Sequence, residues 1–218
     1  MLCNFMDSIK EIRERLSEID ILLEDAIKNQ TLITKYQLYL KTSIVLLSTK
    51  FEVFLEDFIE EHSQRLLNGH TNLSFPSKLK DIYFDSGIEM IFKEKKRQKK
   101  KTLFQSLMIL LQTDYHSISP LNSIRPSMKF NYGKHGEKEI KALFERHGLG
   151  EFVKKEDLRV CFEKINSLIS IRNNVIHQDA SPSLTHQTVK EHKDNILFFI
   201  QQLENEIEEK KRDYYNEE

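Results

Sequence analysis

The side chains best placed for chemistry in this chain sit together in Arg172-Asn173-Asn174-Val175-Ile176-His177. Histidine exchanges a proton near neutral pH, with an unperturbed pKa of about 6.5. Arginine is a permanent cation whose planar fork meets two oxygens of a phosphate or carboxylate at once. The pair therefore suits proton transfer beside a bound anion. On a helix at about 100° per residue, Leu158, Cys161, Phe162, Ile165, Leu168, Ile169, Val175 and Ile176 gather into an apolar arc roughly 140° wide, with Arg172 near its centre. A guanidinium cannot lose its charge there, so it needs a carboxylate, a protein interface or an anionic ligand. His177 follows one turn after Asn173 and can share its face. The plain alternative is that Arg172 pairs with a core carboxylate and His177 simply ends a helix, where its cation favours the dipole.

A second charged feature is KEKKRQKKK, Lys93 to Lys101, with seven basic residues in nine. Lys95, Lys96, Arg97, Lys99, Lys100 and Lys101 could grip nucleic-acid phosphates with salt-sensitive affinity and little sequence preference. As a helix the run would be basic all round and unable to pack, so a solvated surface segment explains it equally well. No aromatic residue interrupts it to stack on bases. The eight histidines do not form a metal site: His186 and His192 are six apart, and there is no His-Glu-x-x-His or paired-cysteine cluster. Tyr132, Lys134 and His135 read better as a polar loop than as substrate contacts. No Gly-rich phosphate loop occurs, and no cofactor is expected.

The elements that must position these residues read as helices. None of the six glycines and four prolines precedes Gly69, a pattern of long uninterrupted helices. Ser8 is placed to cap a first helix to about Asn29, its stripe formed by Ile9, Ile12, Leu16, Ile19 and Leu23. Thr31 is placed to cap a second, longer helix to about Asn68, with Ile44, Leu47, Phe51, Phe54, Leu55 and Phe58 facing a core. A third starts at Ser77, breaks near Gly87 and resumes toward Gln112. Pro120, Pro126, Gly133 and Gly136 mark an irregular stretch, so residues about 85–134 read as an insertion. Short and long helices follow at Glu137 to His147, Glu156 to His177 (ended by Pro182) and Leu184 to about Arg212, with residues 208–218 a frayed end. No stretch alternates with a period of two. The fold class is all-α, a single domain over residues 1–218 packed as an antiparallel bundle.

Composition narrows the setting. At 39% hydrophobic and 31% charged, 218 residues suffice for one domain with a core, and the net charge of -1 gives no global pull toward nucleic acid or membrane. Cys3 and Cys161 are too few for a disulfide framework, and no apolar run approaches the roughly 18 residues of a membrane span. A soluble protein of the reducing cytoplasm is the natural reading.

The arginine-polar-x3-histidine motif near the end of the penultimate long helix resembles the Arg-x4-6-His signature of the HEPN superfamily. The stretch LLSTKFEVFLEDF ending at Phe58 is similar to the second helix of RiboL-PSP and related HEPN families, and EKEIKALFERHG, Glu137 to Gly148, to their approach to the motif. The resemblance spans most of the chain and is weakest over about Asp85 to Lys134. Gln178 and Asp179 follow the histidine where many relatives have a small residue. The resemblance implies a HEPN-like helical bundle and a metal-independent endoribonuclease, active as a homodimer and often a toxin or phage-defence effector, held in check in some relatives by an antitoxin or neighbouring protein. RNA carries its own nucleophile, the 2′-hydroxyl, so a base, an acid and a cation suffice, and the products would be a 2′,3′-cyclic phosphate and a 5′-hydroxyl. One histidine cannot give and take a proton in the same step; a symmetric dimer supplies two. Arg172 and His177 would be catalytic and Asn173 would orient the phosphate or its neighbour. By analogy with the acidic residue of that second helix, Glu52 is a candidate partner for Arg172. Two other classes remain open: a non-catalytic HEPN module that binds RNA or a partner protein as sensor or scaffold, and a plain helical oligomerisation domain.

Overall fold

A computed structural model describes residues 6–71, 74–112, 118–130, 136–177 and 184–216. The apolar stripes of the first two helices become one antiparallel hairpin, α1 (Asp7–Lys28) against α2 (Ile33–Gly69). In α1 the buried positions Ile9, Ile12, Leu16, Ile19, Leu23 and Ala26 keep the three- and four-residue spacing of a single helix face. With 37 residues and no internal breaker, α2 runs about 55 Å at 1.5 Å per residue and spans the molecule.

Neither expected cap is used. Ser8 lies inside α1, and the Glu61 carboxylate of α2 reaches across to cap that helix, accepting from the amides of Asp7 (3.0 Å) and Ser8 (3.1 Å) and from the Ser8 hydroxyl (2.8 Å). Thr31 is likewise passed over, and α2 begins after Leu32 without a side-chain cap. By contrast Thr185 caps α7 (His186–Glu209) locally, its Oγ1 accepting from the Thr188 amide at 3.1 Å.

The expected break at Gly87 is also displaced. α3 (Ser77–Lys93) runs through it, because a Cβ there would lie 2.8 Å from Leu107 Cδ1 and 3.3 Å from Ile124 Cγ2; the glycine serves close packing. The break falls at 94–96, where the Glu94 carboxylate accepts from the amides of Lys95 and Lys96, both at 2.8 Å, before α4 (Arg97–Leu111) turns back along α3. A 3-10 turn, Ser119–Ile124, closes over the pair. The stretch expected as an insertion thus contributes Leu107, Leu110, Leu121 and Ile124 to the core.

α5 (Glu137–Arg146), two 3-10 turns (Phe152–Lys154 and Glu156–Leu158) and α6 (Arg159–His177) lead into α7 and a last short helix, α8 (Lys211–Tyr215). The region expected to fray is held: Tyr215 is buried, and Lys155, Lys210 and the Tyr214 hydroxyl surround the fully buried Glu206 carboxylate at 2.7–2.8 Å. Burial opposes ionisation of Glu206, but these partners outweigh it and hold the group below the usual carboxylate range. Phe199 of α7 is the hub of the core, with edge-on contacts to Phe51, Phe144, Phe152 and Phe162 at 5.5–6.0 Å. Among the described residues there is no strand, and no helix is long and apolar enough to cross a membrane.

Helix directions give the bundle two distinct ends. Asn195 of α7 bonds the Cys161 carbonyl of α6 and His192 meets the Lys164 backbone about one turn on, while α1 pairs Asp20 with Lys193 and Arg13 with Glu204, so α7 runs antiparallel to both. The Tyr36 hydroxyl accepts from the His186 amide at 3.0 Å, which brings the start of α2 to the start of α7. The ends of α1 and α6 and the starts of α2 and α7 therefore meet at one pole; the end of α2, α8 and the α5 loop meet at the other.

Candidate active site

The first half of α6 is locked into the bundle. Phe162 packs on Phe199, Asn195 donates to the Cys161 carbonyl at 3.1 Å, and Asn166 exchanges two hydrogen bonds with Glu137 at the start of α5. Burial pushes the Cys161 thiol up to about 12, in keeping with a core side chain on the apolar arc. Beyond Leu168 no residue of the helix is fully buried, and Ile171 to Val175 are half-buried on every side. The half of α6 that carries Arg172 and His177 thus skims the surface at the first pole.

Arg172 sits half-buried in that segment. Its Nη1 donates to Oδ1 of the adjacent Asn173 at 2.9 Å, while Nε is buried without an acceptor. An unmet buried N–H costs about 1–3 kcal/mol, so the site is built at the expense of local stability. Arg172 forms no ion pair among the described residues, and the pairing with Glu52 expected from the sequence is not made; Glu52 is half-buried on α2 with other interactions. Asn173 therefore contacts the guanidinium directly and fixes one of its edges, while the buried Nε has no acceptor. His177 is the last residue of α6 and is exposed, one turn beyond Asn173.

The same pole exposes apolar side chains that its own bundle does not cover: Ile33 (75%), Leu38 (62%) and Ile176 (43%). Exposure of Ile33 and Ile176 could not be read from periodicity, since both fit a helical stripe, whereas Leu38 falls opposite the α2 stripe. Gln178, Asp179, Pro182, Tyr132, Lys134 and His135 lie outside the described residues, as does Cys3.

The basic run occupies the α3–α4 turn and the first turn of α4. Lys93 pairs with Glu89, whereas Lys95, Lys96, Arg97, Lys99, Lys100 and Lys101 are exposed and form no ion pair among the described residues. No group of three or more potential metal-ligating side chains occurs among those residues.

The other pole holds two histidines of another kind. His62 lies fully buried, with Nε2 3.0 Å from the His147 carbonyl and Nδ1 2.7 Å from the Tyr215 hydroxyl. A carbonyl only accepts, so Nε2 carries the proton and Nδ1 accepts from the tyrosine. In His147, Nε2 donates to the Ser127 carbonyl (3.3 Å) and Nδ1 accepts from Ser63 (2.9 Å). Burial lowers the two to about 4 and about 3, so both are neutral and fully occupied at pH 7. They offer nothing to a substrate.

Comparison with known proteins adds one finding: the profile of the family described as RiboL-PSP-HEPN matches residues 10–209, which include the whole of α6. No curated protein and no solved structure matches significantly.

Proposed function

The chain belongs to the RiboL-PSP-HEPN family, and from that premise we propose that it is a metal-independent endoribonuclease acting through Arg172, Asn173 and His177 in a homodimeric site. The observation that carries this reading is the Arg172 guanidinium, set on an apolar helix face with its Nε buried and unmatched, one turn from an exposed histidine. A phosphate oxygen meets the outer N–H groups of the guanidinium, and reaches Nε as the side chain turns out toward it. Ile33, Leu38 and Ile176 give the same pole an apolar surface for a second copy.

In the composite site, His177 of one protomer takes the proton of a ribose 2′-hydroxyl. The 2′-oxygen attacks the neighbouring phosphorus, the bond to the 5′-oxygen breaks, and the symmetry-related His177 protonates that oxygen as it leaves. Arg172 holds the non-bridging oxygens as their charge builds, and Asn173 keeps its fork in register. Products are a 2′,3′-cyclic phosphate and a 5′-hydroxyl. Cytoplasmic RNA is the substrate, in the manner of a toxin or phage-defence effector restrained by a partner protein.

The test is cleavage of single-stranded and structured RNA by the purified chain in EDTA, with His177→Ala and Arg172→Ala alongside and the mass of each in solution. Loss of cleavage in both folded variants supports the reading. If the wild type cuts neither RNA and the variants behave identically, it fails; RNA affinity retained without turnover would instead mark a non-catalytic binding module, and neither activity a plain oligomerisation domain.

A further inference from the structure

The basic run gains a partner chemistry in three dimensions that its sequence does not display. No aromatic residue lies inside Lys93 to Lys101, but Phe92 directly precedes it and Phe104 follows three residues after, and they are 82% and 55% exposed. Burying either ring would be favourable, so leaving both in water is a cost the fold accepts. On α4, taken at about 100° per residue, Arg97, Lys100, Lys101 and Phe104 share one outward stripe roughly 100° wide. On another side of the hairpin, an open cleft of about 760 Å³ is walled by Lys93, Lys95, Lys96 and Lys99.

These cations also defy local helix energetics. The first turn of α4 is basic with no acidic residue, so its charges add to the positive end of the helix dipole. The one carboxylate in the run, Glu94, is turned onto the amides of Lys95 and Lys96. The result is a dense positive field, offset among the described residues only by Glu89 on Lys93 and by Glu94, and bordered by two exposed aromatic faces. Phosphates meet the field, and unpaired bases, which have free faces, meet the rings. A duplex would satisfy the cations but keep its bases stacked on one another.

We propose that the α3–α4 turn is a binding site for single-stranded RNA, the strand passing from the cleft of Lys95, Lys96 and Lys99 around to the outer stripe of Lys100 and Phe104, with Phe92 and Phe104 as stacking platforms. This rests on the RNA reading above and names the form of RNA taken. The site shares no residue with the Arg172 and His177 motif and selects the strand without cutting it.

The experiment uses the full chain carrying His177→Ala, so that binding is read without cleavage, with a fluorescein-labelled 15-nucleotide single strand and a duplex of the same sequence over a salt series. The single strand is expected to bind at least about tenfold more tightly, and Phe92→Ala/Phe104→Ala to weaken it about tenfold while leaving the duplex unchanged. Lys96→Gln/Lys99→Gln/Lys100→Gln is expected to weaken both and to reduce the salt slope of log affinity by about 2. All substitutions are at exposed positions, and unchanged melting temperatures confirm folding. Equal affinity for both RNAs with no effect of the phenylalanine changes overturns the proposal, as does a lysine variant that binds like its parent. So does binding to phosphatidylserine vesicles, but not RNA, that is lost on the same substitutions. Binding as expected in a protein whose wild type never cuts RNA would remove the nuclease assignment and leave this site standing.

Discussion

His177 and the pair His62 and His147 lie at opposite poles of one bundle and meet opposite surroundings. At the α8 pole each ring nitrogen has a partner, and the chain from Tyr215 through His62 to His147 and Ser63 closes on itself. At the α6 pole the histidine is exposed, the neighbouring arginine has a buried N–H with no acceptor, and the surface is apolar. A satisfied polar network fixes structure; an unsatisfied one stores capacity for a ligand. The same residue type serves both ends, and the partners decide which role it has.

The largest expected effect would break the comparison at the open pole. His177→Ala is expected to lower the rate of RNA cleavage about a thousandfold, with a melting temperature unchanged by calorimetry; a fall in stability would mean that His177 is structural after all. His62→Ala is expected to do the reverse. It leaves the Tyr215 hydroxyl and the His147 carbonyl unmatched in a cavity, costing about 3 kcal/mol in urea titration, while protein that remains folded retains its cleavage rate.

Acid sharpens the same contrast. The unfolded chain binds protons on these histidines near pH 6.5, but the folded one resists until about pH 4 for His62 and about pH 3 for His147, so stability is full above pH 6.5 and falls below it. Each histidine contributes a slope of up to about 1.4 kcal/mol per pH unit. Melting temperatures measured from pH 7.5 to 4.5 are expected to drop steeply in the wild type and less steeply in His62→Ala; parallel curves would remove the buried pair from the account. The smallest effect concerns Arg172→Leu, expected to raise stability by about 1 kcal/mol by removing an unmatched N–H from an apolar face, while abolishing cleavage. Denaturant midpoints that fall instead would show the guanidinium to be a structural partner.

The sequence made the helices legible wherever burial alone decides them. The stripes of α1, α2, α6 and α7 were readable from spacing because one face of each is committed to the core. What it hid were contacts between residues far apart in the chain. Gly87 reads as a breaker locally and is instead the point where α4 and the Ser119–Ile124 turn press on α3. The charged end after Glu208 reads as frayed, yet Gly69 lets the backbone of Tyr215 approach where a Cβ would stand 1.9 Å from its carbonyl oxygen. In the candidate site, Arg172 was legible as a misfit on its helix face. Phe92 and Phe104 were not, because exposure of an aromatic depends on which side of a hairpin its neighbours leave bare.

Glu61 has a bearing on how the chain reaches this fold. Its carboxylate takes the amides of Asp7 and Ser8 from 54 and 53 positions away, whereas those of Ile9 and Lys10 bond locally to the Met6 carbonyl. The cap on Asp7 and Ser8 forms only when α2 docks, which couples protection at the start of the chain to the completed hairpin. In pulse-labelled hydrogen exchange, the amides of Asp7 and Ser8 are expected to gain protection together with the tertiary contacts of α2, after the interior of α1, and Glu61→Gln to delay them without altering the order elsewhere.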